Sequence, residues 1–361
     1  MDEPARARGP GMTFDLVVDA PRWRGHLDAF HSGVPGLVPV VKGNGYGFGR
    51  PVLLAEAARL EAPRVAVGTY PEAVEALDAF AGDVLVMTPW RPYFDGTAVE
   101  AALADERVIH TISRLDDVEA IAGAATRSVR VVVEGETSMA RHGFDRHELA
   151  AVAAAAAGVV ELEGFGIHLP LMPTNLAEAD AWAGRLLASQ LDTQTLYVSH
   201  LTPAELAELR TRRPDLDIRP RVGTALWLGD LGALSVRASV LDVHQVTRGE
   251  RVGYRQRAMP RDGYLLVLSG GTSHGLGLEA PRASRSAMDR VKRLARGGLE
   301  AAGFALSPFV VAGRQRWFAE PPHMQASLVF LPASVTPPEP GDTVSAAVRF
   351  TTSHFDSVVL S

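Results

Sequence analysis

Val40-Val41-Lys42-Gly43-Asn44-Gly45-Tyr46-Gly47-Phe48-Gly49 carries the chain out of a hydrophobic strand, past one lysine, and into a turn with glycine at every second position. A helical pattern over 51–60 follows, so the stretch reads as one strand–turn–helix unit. The same alternation continues to about residue 224. Eight β-rich runs can be read, at 37–42, 64–68, 84–88, 108–112, 129–134, 159–168, 195–200 and 218–222. Helical patterns separate them, among them 71–80, 116–125, 147–157, 175–189 and 203–212. Eight β/α units predict an α/β fold closed as a parallel (β/α)8 barrel of TIM type. An open doubly wound sheet is the alternative, but the glycine fingerprint usual in such sheets is absent.

After about residue 232 the period changes. Runs at 236–246, 264–269, 327–331 and 343–350 lie between Pro and Gly clusters and predict a mainly β domain. One helical stretch near 281–302 interrupts it. The sequence is therefore divided into a flexible leader at 1–12, a barrel over 13–232 and a C-terminal β domain over 233–361 with a helical insertion.

Composition narrows the function classes. With 361 residues, 47% hydrophobic and 22% charged, the chain has enough apolar sequence for two cores. No uncharged 18-residue span predicts a membrane helix, and the first eight residues lack the apolar stretch of a secretory signal. The absence of cysteine excludes disulfides, thiolate metal sites and a cysteine nucleophile, and fits a cytoplasmic setting. A net charge of −6 argues against nucleic acid, and the basic run at 285–296 reads as one polar helix face.

In a barrel of this type the active site lies at the C-terminal ends of the strands. Lys42 ends strand one, Arg141 follows strand five, and His168, His200 and Arg221 end strands six, seven and eight. A lysine set in partly desolvated surroundings is shifted towards the neutral amine that a Schiff base requires. The loops after strands seven and eight commonly cradle phosphate, and Gly223 lets backbone amides approach a dianion. A solvent-facing lysine before an ordinary glycine turn is the alternative for Lys42 taken by itself; the five strand-end residues together point to a site.

The opening stretch resembles the pyridoxal-phosphate lysine motif of alanine racemases, VVKxNxYGxG, in the fold-type III class of such enzymes. Thr137-Ser138-Met139-Ala140-Arg141-His142-Gly143-Phe144 is similar to the family's DTGMxRxGF, Gly164-Phe165-Gly166-Ile167-His168 to its sixth strand, and Arg221-Val222-Gly223-Thr224-Ala225-Leu226-Trp227 to RPGxxLYG. Gly249-Glu250-Arg251-Val252-Gly253-Tyr254 resembles the GExVGYG turn that opens the β domain. The resemblance implies pyridoxal 5'-phosphate as cofactor, an amino-acid substrate, a racemase reaction and a homodimer. It implies that Lys42 carries the cofactor as a Schiff base and acts as a base at Cα, and that Tyr46 sits near the phosphate. Arg141 would position the phenolic oxygen and the substrate carboxylate, His168 would back the ring, Arg221 would face the pyridine nitrogen, and Gly223 and Thr224 would hold phosphate. His200 stands in the family's asparagine-serine pair after strand seven and joins the cofactor-binding set.

The likeness breaks in the C-terminal half. The family's second base is a tyrosine in GYADG; here the stretch is Ser269-Gly270-Gly271-Thr272-Ser273-His274-Gly275, with Gly271 nearest the tyrosine and His274 three residues on as the candidate substitute base, the alternative being that Gly270 to Gly277 is a plain flexible loop. The MDQ segment reads His323-Met324-Gln325, and the modified lysine before the arginine motif is replaced by Glu134, expected to serve Arg141. Loss of the tyrosine leaves two other functions open: a decarboxylase or aldolase of the same fold, and a pyridoxal-phosphate-binding protein without turnover. His354 and Asp356 read as an ordinary strand end rather than a metal site.

Overall fold

A computed structural model describes residues 13–94, 96–278 and 305–361. The leader at 1–12 and the helical stretch near 281–302 lie outside the described residues. The chain divides into two compact units, Arg24–Asp230 and a second that joins residues 13–23 to Leu231–Ser361.

The chain begins with strand β1 (Phe14–Val18) and helix α1 (Ala20–Gly33). Eight parallel strands follow: β2 (Val38–Pro39), β3 (Arg64–Val67), β4 (Asp83–Pro89), β5 (Val108–Ile112), β6 (Arg130–Gly135), β7 (Glu161–Ile167), β8 (Thr195–Val198) and β9 (Asp217–Val222). They alternate with α2 (Arg50–Arg59), α3 (Tyr70–Ala79), α4 (Thr97–Ala104), α5 (Asp116–Ala124), α6 (Leu149–Ala156), α7 (Leu176–Ala188) and α8 (Pro203–Arg212). The strand order β2-β9-β8-β7-β6-β5-β4-β3 is a ring, which a parallel bridge from Val40 to Ala66 closes. All eight predicted strands are present, and the (β/α)8 barrel stands. The strands are near-continuous apolar runs because both faces are buried. Val38, Val40, Ala66, Leu85, Ile109, Val132 and Tyr197 pack together as a core cluster from strands around the ring.

At the strands' N-terminal end, charges are paired. Arg130 donates to both oxygens of Asp83 at 2.8 and 2.9 Å and to Glu163 at 2.6 Å. Arg64 lies 3.4 Å from Asp83 and 3.7 Å from Glu163, and also donates to the Tyr197 hydroxyl.

The second unit is mainly β: β10 (Leu234–Val246), the short hairpin β11 (Arg251–Val252) and β12 (Arg257–Ala258), β13 (Gly263–Ser269), β14 (Leu306–Val311), β15 (Arg314–Phe318), β16 (Ala326–Pro332), β17 (Thr343–Ala346) and β18 (Ser357–Leu360). The order β13-β16-β15-β14-β17-β10 with a further β13–β10 pairing closes a six-stranded ring. β1 is antiparallel to β10 and parallel to β18. The sequence pattern groups residues 13–23 with the barrel; the structure gives β1 to this sheet instead. Its pattern of fully buried Phe14, Leu16 and Val18 is that of a half-buried antiparallel strand, with period two rather than a continuous apolar run. No helix among the described residues is long and apolar enough to cross a membrane.

Candidate active site

The site grows from the glycine-rich turn. Gly43, Gly45, Gly47 and Gly49 all have positive φ, between 61° and 94°, and Tyr46 joins them at 53°. That backbone is inexpensive for glycine and strained for most other residues, which is why the turn alternates as it does. It buries the Tyr46 ring and leaves Lys42 accessible. Glu72 secures the turn from the next unit. As the third residue of a capping box on α3 it accepts from the Gly68 and Thr69 N–H groups at 2.7 and 3.3 Å, and its other oxygen accepts from the Gly43 N–H at 2.8 Å. One carboxylate thereby caps a helix and holds the residue after Lys42. Glu205 repeats the device on α8, accepting from the Thr202 and Asn175 N–H groups. Sequence reasoning did not single out Glu72, although the Thr-x-x-Glu spacing of Thr69 and Glu72 is its signal.

Arg221, at the end of β9, is 5% exposed and lies against Glu134 of β6, with contacts of 3.3 and 3.4 Å. It also donates to the Ile167 carbonyl at 2.9 Å. The sequence predicts that Glu134 serves Arg141; its ion pair is with Arg221 instead, and Arg141 feels it as a charge at longer range. Gly166 makes room for this pair, since a Cβ there would meet Glu134 Oε2 at 2.3 Å. The Arg221 Nε–H is buried without a partner among the described residues.

His168 Nδ1 lies 3.1 Å from the Ser199 hydroxyl, and the His168 and His200 rings meet edge to face at 5.0 Å. His200 adopts φ of 56°, with its carbonyl held by Asn175 at 2.9 Å. Burial, then the charge of Arg221, pushes the His168 pKa down to about 2, and burial followed by Lys42 lowers that of His200. Both rings are therefore neutral at physiological pH.

Tyr46 and Gly223 meet across the ring. A Cβ on Gly223 would stand 1.8 Å from the Tyr46 hydroxyl, so only glycine lets the phenol reach this position. Burial raises the Tyr46 pKa to about 12, and the group remains a phenol donor. Gly223 precedes the short helix α9 (Thr224–Trp227), whose internal hydrogen bonds begin with the Leu226 N–H donating to the Gly223 carbonyl. The amides ahead of Leu226, including that of exposed Thr224, have no place in that ladder. Trp227 Nε1 donates to the Val40 carbonyl at 2.8 Å, fixing α9 to the strand that leads to Lys42.

The electrostatic balance is cationic. Crowding of the Lys42 amine by protein lowers its pKa, Arg141 and Arg221 lower it further, and Glu72 opposes them. Lys42, Tyr46, Arg141, His168, His200, Arg221, Gly223 and Thr224 thus all belong to the barrel unit, and the mutual charge effects place Lys42, Arg141, His168, His200 and Arg221 in one region. Such a set suits pyridoxal phosphate: a lysine biased to its neutral form, an unpartnered buried guanidinium N–H for a ring nitrogen, a phenol and free amides for phosphate oxygens, and excess positive charge for an anion.

His274 belongs to the other unit. It is 7% exposed; its Nδ1 accepts from the Gly271 N–H at 3.1 Å, and its Nε2 lies 3.1 Å from Asp356 Oδ1. Its ring is edge-on to Phe14 at 5.3 Å, and Asp356 also accepts from the Phe14 N–H. With Nδ1 accepting, Nε2 carries the proton and donates to Asp356. Neither nitrogen is left to take a substrate proton, so the expectation that His274 substitutes for a base gives way to a role in tying its turn to the chain's last strand. Asp356 has the same structural role.

The model of the family "Alanine racemase, N-terminal domain" matches residues 22–230, which is the barrel unit almost end to end. An alanine racemase of Mycobacterium tuberculosis (strain ATCC 25618 / H37Rv) is 26% identical over 295 residues, covering 74% of this chain and 75% of that protein. Among solved structures, alanine racemase from Bartonella henselae with covalently bound pyridoxal phosphate aligns with a TM-score of 0.68 at 19% identity, over 94% of this chain and 91% of the other. Histidine racemase from Leuconostoc mesenteroides subsp. sake aligns at 0.64 and 18%, over 94% and 89%. Those two likenesses extend the shared fold through the β unit, and the family match falls on the barrel that carries the lysine turn: the chain belongs to the alanine racemase family.

Proposed function

We propose that this protein is a pyridoxal-phosphate-dependent amino-acid racemase in which Lys42 holds the cofactor and moves the proton at Cα. The observation that carries the reading is the cationic mouth of the barrel, where crowding of the amine by protein, and then the charges of Arg141 and Arg221, bias Lys42 towards the neutral amine that both duties need. Bound there, pyridoxal phosphate supplies the electron sink that makes the α-proton of an amino acid removable. Arg221 would offer its buried Nε–H to the ring nitrogen and remain charged, which would leave the ring a weaker electron sink than one paired with a carboxylate. Glu134 holds Arg221 in place, Tyr46 and the first amides of α9 hold phosphate, and Arg141 takes anionic oxygen. Lys42 would take the α-proton from one face of Cα; inversion requires that the opposite face receive its proton from another donor, because a proton returned by Lys42 to its own face restores the starting configuration.

The test is a panel of L- and D-amino acids incubated in deuterated water with wild-type protein and Lys42→Ala, reading visible absorbance, deuterium at Cα and chirality separately. The wild type is expected to be yellow and to exchange with inversion. Lys42→Ala should lose the absorbance of lysine-bound cofactor and about 10²–10⁴-fold in exchange. A wild type that takes up no cofactor overturns the reading, and exchange with full retention overturns racemisation.

A further inference from the structure

We infer that His142 is a positioning residue that sets which edge of the Arg141 guanidinium faces the ligand, and that it thereby governs recognition of a substrate carboxylate; the inference rests on the function proposed above. The loop after β6 is closely held: the Phe144 N–H donates to the Glu134 carbonyl at 2.8 Å and the Glu136 N–H to the Phe144 carbonyl at 2.9 Å. Gly143 has φ of 141°, and a Cβ there would meet the Glu136 nitrogen at 2.3 Å. The conformation at 140–143 is therefore dictated by backbone, with Ala140 also at positive φ.

In that frame the Arg141 Nε–H donates to His142 Nε2 at 3.1 Å. An imidazole nitrogen accepts only when it carries no proton, so the ring is neutral and its proton is on Nδ1. Nδ1 is buried without a partner among the described residues. Burial lowers the His142 pKa, with Arg141, Arg91 and Arg221 adding to the effect and Glu134 opposing it, which keeps the acceptor form at neutral pH. With Nε engaged, Arg141 has its two Nη groups left, the pair that meets a carboxylate side by side. Its neighbour Arg221 is oriented by Glu134; Arg141 instead donates its Nε–H to a neutral ring. That choice orients the guanidinium without neutralising it, and the full charge remains for the ligand.

The experiment compares two amines on cofactor-loaded protein: 2-aminoisobutyrate, which has a carboxylate but no α-proton, and isopropylamine, the same skeleton without the carboxylate. Binding is read from the visible spectrum, without turnover. For His142→Leu, the dissociation constant of 2-aminoisobutyrate should rise about tenfold, as for loss of a charge-assisted hydrogen bond, while that of isopropylamine stays constant. His142→Gln, whose amide oxygen can accept from Arg141 Nε, should restore most of the affinity. Equal weakening of both amines, or no change in either, overturns the inference while leaving the proposed function standing. A wild-type protein that acquires no visible absorbance overturns the function and the inference with it.

Discussion

The two ends of the barrel use the same residue types to opposite effect. At the N-terminal end, Arg64 and Arg130 face Asp83 and Glu163, and each cation has a carboxylate within 4 Å. At the C-terminal end, Lys42, Arg141 and Arg221 share Glu134, which is committed to Arg221, and Glu72, which is committed to backbone N–H groups. Hydrogen bonding to Asp83 is the main force that raises the Arg130 pKa, whereas crowding and like charges lower those of Lys42 and Arg141. A charge with its partner present contributes to holding the ring closed; a charge without one waits for a ligand. The direction of the strands places the second kind where the βα loops can surround it.

The largest effect that breaks this contrast is expected from Arg130→Ala. It leaves Asp83 and Glu163 without their forked donor, and should cost about 3 kcal/mol in urea unfolding. Turnover per folded molecule and cofactor affinity should hold steady, because Arg130 is at the far end of the strands. A loss of cofactor affinity at unchanged stability would mean that the two ends are not separable.

At the mouth, Gly223→Ala should act the other way. The added methyl collides with the Tyr46 hydroxyl, and crowding of this kind costs about 1–3 kcal/mol. Because the collision is at the proposed phosphate side, it should appear as roughly tenfold weaker cofactor binding, measured by equilibrium dialysis, with a smaller change in the unfolding midpoint of the cofactor-free chain. Unaltered affinity would remove Tyr46 and Gly223 from the phosphate site.

Much of this was legible in the sequence because parallel strands buried on both faces leave a strong one-dimensional trace. Val131-Val132-Val133 or Val84-Leu85-Val86 admits few other readings. The lysine turn was legible for a related reason: glycine at every second position has a conformational meaning that the positive φ values supply. What remained hidden depends on contacts between distant residues. β1 is short and amphipathic, and nothing local tells it to pair with a strand more than 200 residues away. His274 looks like a free base until Gly271 and Asp356 close on its two nitrogens. Glu134 lies 87 residues from Arg221, and its pairing with that arginine rather than with Arg141, nearer in sequence, needs the space that Gly166 leaves beside its carboxylate.

The smallest effect is the share of the pH dependence that His168 contributes at the mouth. The His168 pKa falls from 6.5 to about 2 in the folded chain. Between those values the unfolded chain binds the proton and the folded one does not, so stability rises with pH across that window and declines as pH falls below about 6.5. Measured between pH 7 and pH 6, unfolding of the cofactor-free wild type should take up about half a proton more than that of His168→Gln, seen as a shallower slope of stability against pH in the variant. His110, buried beside Tyr70 with a pKa near 4, titrates in the same direction in both proteins and cancels from the difference. The N-terminal charge network contributes nothing here, since raising an arginine pKa changes no protonation near neutrality. Identical slopes would show that the His168 ring can gain a proton as readily in the folded barrel as in the unfolded chain, which its burial, and then its position among Arg221, Arg141 and Lys42, oppose.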